Sequence, residues 1–360
     1  MGISRKEALD CLRSDDLIGV GMEADAVRRR LHPEGVVTYA VVGEIDYAAA
    51  MMGYGGFGSQ LKVGSAHPLW DAIGETIEMG GTGVRLVQRN GTGWVYGIQF
   101  VEAAFRTVKR KFPTIWIEAV SATEVVGIAV HSGIGTCETL ARLRDAGLDE
   151  IAGDDVAGFD SAVSLGNRFA PPPCSLAQWL AVHRAAHGLG MRTVATMVFG
   201  AGETPEQCVD TLAAIRQLQE ETGGFTAFVP LAAEAASGRE LDAVTAVEQL
   251  KTLATARVFL DNIQNIQLSG AAQGLKVLQM GLRFGANDAG SVAPLAVGAK
   301  PVGGAISGNG LMSDNGANVG GGKNATAANQ PTEEDLRRII RDAGFQPVQR
   351  DIPYRTMFLT

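Results

Sequence analysis

Apolar segments with the length of β-strands alternate with amphipathic helical segments along most of the chain. The segments at 36–42, 84–88, 114–120, 192–199 and 225–231 have the composition of buried strands, and helical patterns stand between them. This alternation is typical of a parallel sheet with crossover helices. With 360 residues, the chain is long enough for one large barrel or for two domains of ordinary size. The sequence therefore predicts an α/β protein with a partial TIM-type parallel β/α barrel.

Charge and cysteine usage limit the environment and the partners of the protein. The net charge of −8 argues against binding to nucleic acid or to an anionic membrane. The sequence shows no apolar run that would span a bilayer and no apolar core of a signal peptide. Four cysteines without paired spacing favour free thiols in a reducing cytoplasm, although a new cluster built from them is left open. We therefore expect a cytoplasmic protein with a small-molecule substrate, and a homodimer is left open.

Two histidines have the spacing of metal ligands. His183 and His187 stand four residues apart on one predicted helix, but the glutamate of an H-E-x-x-H motif is missing. We expect both histidines to be structural, and we predict no metal site.

A glycine-rich stretch follows the first predicted strand. Residues 53–58 read GYGGFG and formally match the G-x-G-x-x-G pattern of dinucleotide-binding loops. That pattern needs a strand directly before the glycines and a helix directly after them, whereas here the next helix begins only at Pro68. Two other interpretations stay open: a loop whose backbone N–H groups bind a carboxylate or phosphate, or a loop without a binding role.

Several phrases of the sequence are similar to radical SAM enzymes of the futalosine pathway to menaquinone. They are Ile45–Tyr47, the segment from Ser132 to Ile151, Glu221–Phe225 and the phrase from Arg283 to Asp288. That group comprises dehypoxanthine futalosine cyclase and aminofutalosine synthase, with the deazaflavin FO synthase as a more distant relative. The resemblance covers residues 8–290 and 331–354 and implies a barrel of the radical SAM type.

The resemblance also implies a missing cofactor. In these enzymes a Cys-x3-Cys-x2-Cys triad after the first strand ligates a [4Fe–4S] cluster, but its positions fall on Met51, Gly55 and Gly58 here. Such clusters are held by cysteine thiolates, and neither glycine nor the neutral thioether of methionine replaces a thiolate. We therefore expect no iron–sulfur cluster and no reductive cleavage of SAM.

The resemblance implies SAM, or a related adenosyl compound, as the candidate cofactor. In the resembling enzymes a Gly-Gly-Thr phrase receives the amino group of the methionine part of SAM, and residues 80–82 match it. The glutamate that would help to bind SAM is replaced by Ala157. The candidate cofactor-binding residues are Gly80, Gly81, Thr82, Gln88, Ser121, Gly53, Gly55 and Gly58.

The candidate catalytic residues are acids and a tyrosine expected at the mouth of the barrel, where the active site of this architecture lies. Polar transfer from the sulfonium of SAM needs alignment and a base. Because successive strand residues face opposite sides, only one of two adjacent aspartates is expected to point inward, and a turn is the alternative for both. Glu118 stands where the resembling enzymes have a histidine. The candidate catalytic residues are Asp154, Asp155, Glu203, Tyr47 and Glu118.

The sequence keeps the framework phrases of the resembling enzymes but has different residues at several polar positions of their active site. This combination favours a cluster-less radical-SAM-fold enzyme with non-radical chemistry. The expected reaction is SAM-dependent methyl or aminocarboxypropyl transfer, or a cyclisation, on an aromatic or nucleoside-like small molecule. The alternative is a non-catalytic protein that binds a ligand or partners an active paralogue. We expect an N-terminal helical segment at 1–34, a barrel at 35–290 and a C-terminal segment at 291–360, with a mobile Gly-rich loop at 297–330.

Overall fold

A computed structural model describes six stretches of the chain. They are residues 2–47, 68–87, 97–153, 174–233, 244–293 and 331–358. The predicted Gly-rich loop at 297–330 lies outside these residues.

Helices and strands alternate in the order that the sequence predicts. The helices are α1 (Arg5–Arg13), α2 (Leu17–Leu31), α3 (Pro68–Glu78), α4 (Ile98–Lys111), α5 (Ala122–Ser132), α6 (Thr136–Ala146), α7 (Leu176–Gly188), α8 (Pro205–Thr222), α9 (Ala246–Phe259), α10 (Gly270–Gln273), α11 (Leu275–Gly281) and α12 (Glu333–Asp342). The strands are β1 (Val36–Asp46), β2 (Gly83–Val87), β3 (Trp116–Ala119), β4 (Glu150–Ile151), β5 (Thr193–Phe199), β6 (Phe225–Ala232), β7 (Asn265–Ile266), β8 (Asp288–Val292), β9 (Gln346–Arg350) and β10 (Met357–Phe358). No helix among the described residues is both long enough and apolar enough to cross a membrane.

Helix boundaries follow local capping chemistry. Ser4 and Glu7 form a reciprocal capping box at the start of α1, and Thr332 and Asp335 do the same for α12. Gly147 ends α6 in the left-handed region with φ 116°, as the sequence predicts. These ends are encoded locally, and for this reason the sequence places them well.

Strands β1 to β8 form a parallel β/α barrel in which spatial neighbours follow the chain order, and β10 pairs antiparallel with β9. β1 to β4 pair in parallel in one sheet, and β5 to β7 pair in a second sheet. β8 pairs with β1, and a bridge between Gln267 and Asp288 links β7 to β8. Between β4 and β5, the Thr196 hydroxyl donates to the Gly153 carbonyl. The predicted α/β class with a partial TIM-type parallel barrel is confirmed.

The C-terminal strand closes the amino-terminal end of this barrel. The first half of β1 pairs with β9, from Val36 opposite Gln346 to Tyr39 opposite Gln349, whereas its second half pairs with β2. The Gln349 side chain donates to the Gly80 carbonyl at 2.7 Å, just before β2. Residues that follow β9 are thereby placed under the barrel interior.

His183 and His187 pack in the core between α7, β5 and α8. His183 Nδ1 lies 2.9 Å and His187 Nε2 lies 2.8 Å from the Thr193 hydroxyl, and His187 Nδ1 lies 2.7 Å from the Thr222 hydroxyl. Burial lowers the pKa of His183 well below its ordinary value and, together with Arg192 and Arg184, lowers the pKa of His187 to about 4.

Mild acid is expected to destabilise the protein through these two rings. Between about pH 6.5 and about pH 4 the unfolded chain binds protons that the folded protein excludes, so stability is complete above this window and falls as the pH decreases through it. Urea denaturation across this window measures the loss. His187→Gln keeps a donor and an acceptor but removes one titrating ring, so its loss should be shallower. An equally steep loss in the variant would show that other groups cause it.

Candidate active site

A cavity of about 230 Å³ lies inside the barrel. Its wall is formed by inward-facing residues of the strands, and its floor is formed by residues at the end of β9 and just after it. The apolar lining includes Val194, Val229 and Leu231. The polar lining includes Arg85, Glu118, Glu150, Arg350 and Tyr354.

Three ionisable side chains form a row across β2, β3 and β4. Arg85 is paired in register with Glu118, and Glu118 is paired with Glu150. Residues in register on neighbouring parallel strands face the same side of the sheet, so the row points into the cavity. Arg85 Nη2 lies 2.8 Å from Glu118 Oε1, and the Trp116 indole donates to Glu150 Oε2 at 3.1 Å.

The surroundings of Glu150 favour its neutral acid form. Its side chain is buried, with 2% exposure. Burial and the neighbouring charge of Glu118 raise the pKa of Glu150 well above its usual range, against the smaller opposing effects of Trp116, Arg350 and Arg85. Two adjacent buried carboxyls with one guanidinium partner favour a state that holds one proton. The pair therefore combines a proton donor, Glu150, with a carboxylate, Glu118.

A buried ion pair braces the cavity floor. Arg350 donates to both carboxylate oxygens of Asp288, at 2.5 and 3.0 Å, and the two residues are 5% and 0% exposed. The Thr38 hydroxyl and the Gly290 N–H complete the acceptor sites of Asp288 at 2.5 and 2.8 Å. Fully bonded geometry of this kind is what a buried pair needs to offset its desolvation.

Tyr354 joins the floor from a strained backbone position. Its φ is 56°, a left-handed value that costs a non-glycine residue roughly 1–3 kcal/mol. Arg350 donates to its hydroxyl at 2.9 Å and lies over its ring at 3.7 Å, and the hydroxyl donates to Gln267 at 3.3 Å. Burial raises the pKa of Tyr354 well above 10, so the phenol keeps its proton.

Of the predicted catalytic residues, Glu118 lines the cavity, whereas Glu203 and Tyr47 do not. The Glu203 carboxylate accepts from the N–H groups of residues 200 and 201, at 2.5 and 2.8 Å, and so closes the turn after β5. Tyr47 is buried in the core against Phe100, with ring centroids 6.1 Å apart. Asp154 and Asp155 lie outside the described residues.

The four predicted cofactor-binding residues that the structure describes do not line the cavity with Glu118. Residues Gly80, Gly81 and Thr82 precede β2, at the amino-terminal end of the barrel, and Ser121 caps α5 in a capping box. None of these four lines the cavity. Their role in SAM binding stays a prediction. Gln88, Gly53, Gly55 and Gly58 lie outside the described residues.

Sequence reasoning missed most of the cavity's polar residues. The one available signal was a charged residue inside each of three short apolar strands, since a buried charge in a strand needs a partner on its neighbour. The missed lining residues are Arg85, Glu150, Arg350 and Tyr354, and Asp288, the partner of Arg350, was missed as well.

The four cysteines all lie within the described part of the chain, where each is a thiol rather than half of a disulfide. Cys11 is on α1, Cys137 on α6, Cys174 before α7 and Cys208 on α8. Within that part, no three His, Cys, Asp or Glu side chains form a group that could hold a metal ion. The described residues therefore do not bring together the three thiolates that a cysteine-ligated cluster needs.

Known proteins resemble this chain in sequence and in fold. The family model described as the CofH/MqnC C-terminal region matches residues 222–359. The cyclic dehypoxanthine futalosine synthase of Streptomyces coelicolor is 32% identical, over 98% of this chain and 85% of its own. A 5-amino-6-(D-ribitylamino)uracil–L-tyrosine 4-hydroxyphenyl transferase of Methanosarcina barkeri is 29% identical over 91% of this chain and 84% of its own.

Solved structures share the fold at low sequence identity. Methylornithine synthase (PylB) superposes with a TM-score of 0.61 at 14% identity, over 96% of this chain and 94% of its own. The hydrogenase maturase HydG of Carboxydothermus hydrogenoformans gives 0.64 at 13% identity, over 99% of this chain and 78% of its own. These likenesses confirm a barrel of the radical SAM type.

The comparisons correct one expectation about cofactors. The relatives are radical SAM enzymes with an iron–sulfur cluster, which contradicts the expectation of no such cluster, whereas SAM as cofactor is supported. The expectation rested on the residues at positions 51, 55 and 58, which lie outside the described part of the chain. A motif placed by resemblance in one loop was too narrow a basis for a conclusion about the whole enzyme.

Proposed function

Because the chain belongs to the CofH/MqnC family of radical SAM enzymes, we propose that it binds SAM and acts on an aromatic or nucleoside-like molecule in the barrel cavity. Membership makes it an enzyme that acts on small molecules. The proposed reaction is a group transfer that uses SAM or a ring closure. The names of the relatives, a cyclic dehypoxanthine futalosine synthase and a hydroxyphenyl transferase, are consistent with either reaction.

The observation that carries the proposal is the pairing of unlike carboxyls inside the cavity. Burial and the neighbouring charge of Glu118 raise the pKa of Glu150 well above its usual range and favour its protonated form, whereas Glu118 has the guanidinium of Arg85 at 2.8 Å. Two titratable groups whose environments separate their protonation states are the usual arrangement for acid and base roles. Glu150 is the proposed proton donor to the substrate, and Glu118 is the proposed acceptor.

The shape and polarity of the cavity support the substrate class. Val194, Val229 and Leu231 line this small chamber from β5 and β6, whereas the ionisable row lines it from β2, β3 and β4. Ligand sites of this kind bind the flat apolar face of a molecule on one side and fix its polar atoms on the other. An aromatic or heterocyclic ring that carries polar groups satisfies both sides.

Calorimetric titration of anaerobically purified, iron-assayed protein tests SAM binding. The protein is titrated separately with SAM, S-adenosylhomocysteine and methylthioadenosine. The proposal predicts SAM binding with a dissociation constant on the order of micromolar, about −8 kcal/mol. Tighter binding of one of the two product-like compounds would indicate which bond of SAM is cleaved. No binding of any of the three would contradict the proposal and favour a non-catalytic protein.

A further inference from the structure

We propose that Glu118 and Glu150 bind a cationic nitrogen group of the substrate, a primary ammonium or an amidinium. This inference rests on the proposed function of the cavity and specifies the chemistry of its ligand. It follows from the balance of charges around Arg85, Glu118 and Glu150, and from the burial of the two carboxyls, each of which has one oxygen available to a ligand.

The charges that line the cavity leave one carboxyl without a counterion among the described residues. Arg350 is already paired with Asp288, to which it donates two hydrogen bonds. Arg85 is the guanidinium paired with Glu118. Trp116, a neutral donor, is the hydrogen-bond partner of Glu150. Full charge balance with both glutamates ionised therefore requires one additional cation.

One oxygen of each glutamate is available to a ligand. Arg85 bonds Glu118 through Oε1 with both its Nε and its Nη2, and Trp116 bonds Glu150 through Oε2. Among the described residues, the hydrogen bonds to these two carboxyls end on Glu118 Oε1 and Glu150 Oε2, and the two residues are 7% and 2% exposed. Both residues line the cavity. Nine-tenths buried carboxyls with free acceptors in a chamber are costly unless a ligand donates to them.

A cationic nitrogen group satisfies both oxygens at once. Neighbouring strands lie about 4.7–4.9 Å apart, so the two carboxyls are within reach of one ammonium, which has three N–H donors. Without a ligand, a proton on Glu150 supplies the missing positive charge. When the nitrogen group enters as its free base, the O–H bond of Glu150 breaks and the proton passes to the nitrogen. The resulting cation takes over the charge balance, and the proton that the free cation lost stays in the solvent.

Several charged groups set the protonation of Glu150. They are Glu118 on β3, Arg85 on β2 and Arg350 on β9, and the Trp116 indole is its neutral partner. Since these groups are fixed by the barrel, they are the same before and after binding. Only the arrival of the ligand then removes the proton from Glu150. Binding of a ligand that is a cation in solution should therefore cause a net release of close to one proton at neutral pH.

Calorimetry with a matched pair of probes tests the inference. Full-length protein is titrated with benzylamine and with benzyl alcohol at neutral pH, each in phosphate and in MOPS, whose ionisation enthalpies differ and neither of which is a primary ammonium. We expect benzylamine to bind at least about tenfold more tightly than benzyl alcohol and to release about one proton. Glu150→Gln should abolish the proton release and weaken benzylamine binding about tenfold or more. Glu334→Gln, which is matched in chemistry and exposed on α12, should leave both unchanged.

Three outcomes would overturn the inference: benzyl alcohol binding as tightly as benzylamine, benzylamine binding without proton release, or no binding of benzylamine. The first would favour a neutral hydrogen-bonding ligand. The comparison of the two probes uses the unaltered protein, so it does not depend on the folding of a variant. Retained SAM binding together with any of these outcomes would reject the cation site alone, whereas loss of SAM binding concerns the proposed function.

Discussion

Asp288→Ala is expected to lower the free energy of unfolding by about 3–5 kcal/mol. The substitution leaves the guanidinium of Arg350 buried without its counterion, and it also removes the acceptor of the Thr38 hydroxyl and of the Gly290 N–H. A domain is typically stable by about 5–15 kcal/mol in total, so the loss is a large part of it. Urea denaturation followed by circular dichroism measures the effect.

A double variant tests whether the stability is lost because one buried charge is left without its partner. Asp288→Ala combined with Arg350→Met removes both buried charges, and it should recover much of the stability that the single substitution loses. A single variant as stable as the unaltered protein would show that the pair does not brace the cavity floor.

Glu150→Gln is expected to reduce turnover by about 10²–10⁴-fold. Glutamine has nearly the same shape and can still accept from Trp116, but it has no proton to give. Product formation from SAM and fractionated small-molecule extracts, followed by chromatography with mass detection, measures the rate. Glu334→Gln provides the control on the protein surface. Unreduced turnover in the Glu150 variant would exclude this residue as the proton donor.

Glu150→Gln should also change how the free energy of unfolding depends on pH above the ordinary glutamate pKa. Because the folded-state pKa of Glu150 is raised above that of the unfolded chain, the folded protein binds the extra proton. The stabilisation is complete below the ordinary glutamate pKa and is lost as the pH rises through the raised one. Glu150→Gln should remove this loss, which urea denaturation across a pH series detects.

The architecture was predictable because its signals are local. Ser4 and Thr332 each start a helix by capping it together with a residue three positions further along the chain. Gly147 ends a helix. Parallel strands follow from the alternation of apolar segments with helices. Such features depend on neighbours along the chain, which a sequence shows directly.

The site was predictable only in part because it depends on register between distant segments. Glu118 was identified, but its partner Glu150 lies on a strand of two residues whose pairing with β3 is not visible in the sequence. Arg350 and Asp288 are 62 residues apart and meet only because β9 and β8 both pair with β1. The resemblance singled out residues 80–82, but it did not show that they lie at the amino-terminal end of the barrel.

Carbon-13 NMR of protein labelled at the glutamate side-chain carboxyls shows whether Glu150 is a neutral acid. The Glu150→Gln variant assigns the Glu150 signal. At neutral pH we expect the Glu150 carboxyl to have the chemical shift of a protonated acid and to titrate far above the ordinary glutamate pKa of about 4.3. A Glu150 signal that titrates in the ordinary range would contradict the neutral acid on which the proposed function and the cation site rest.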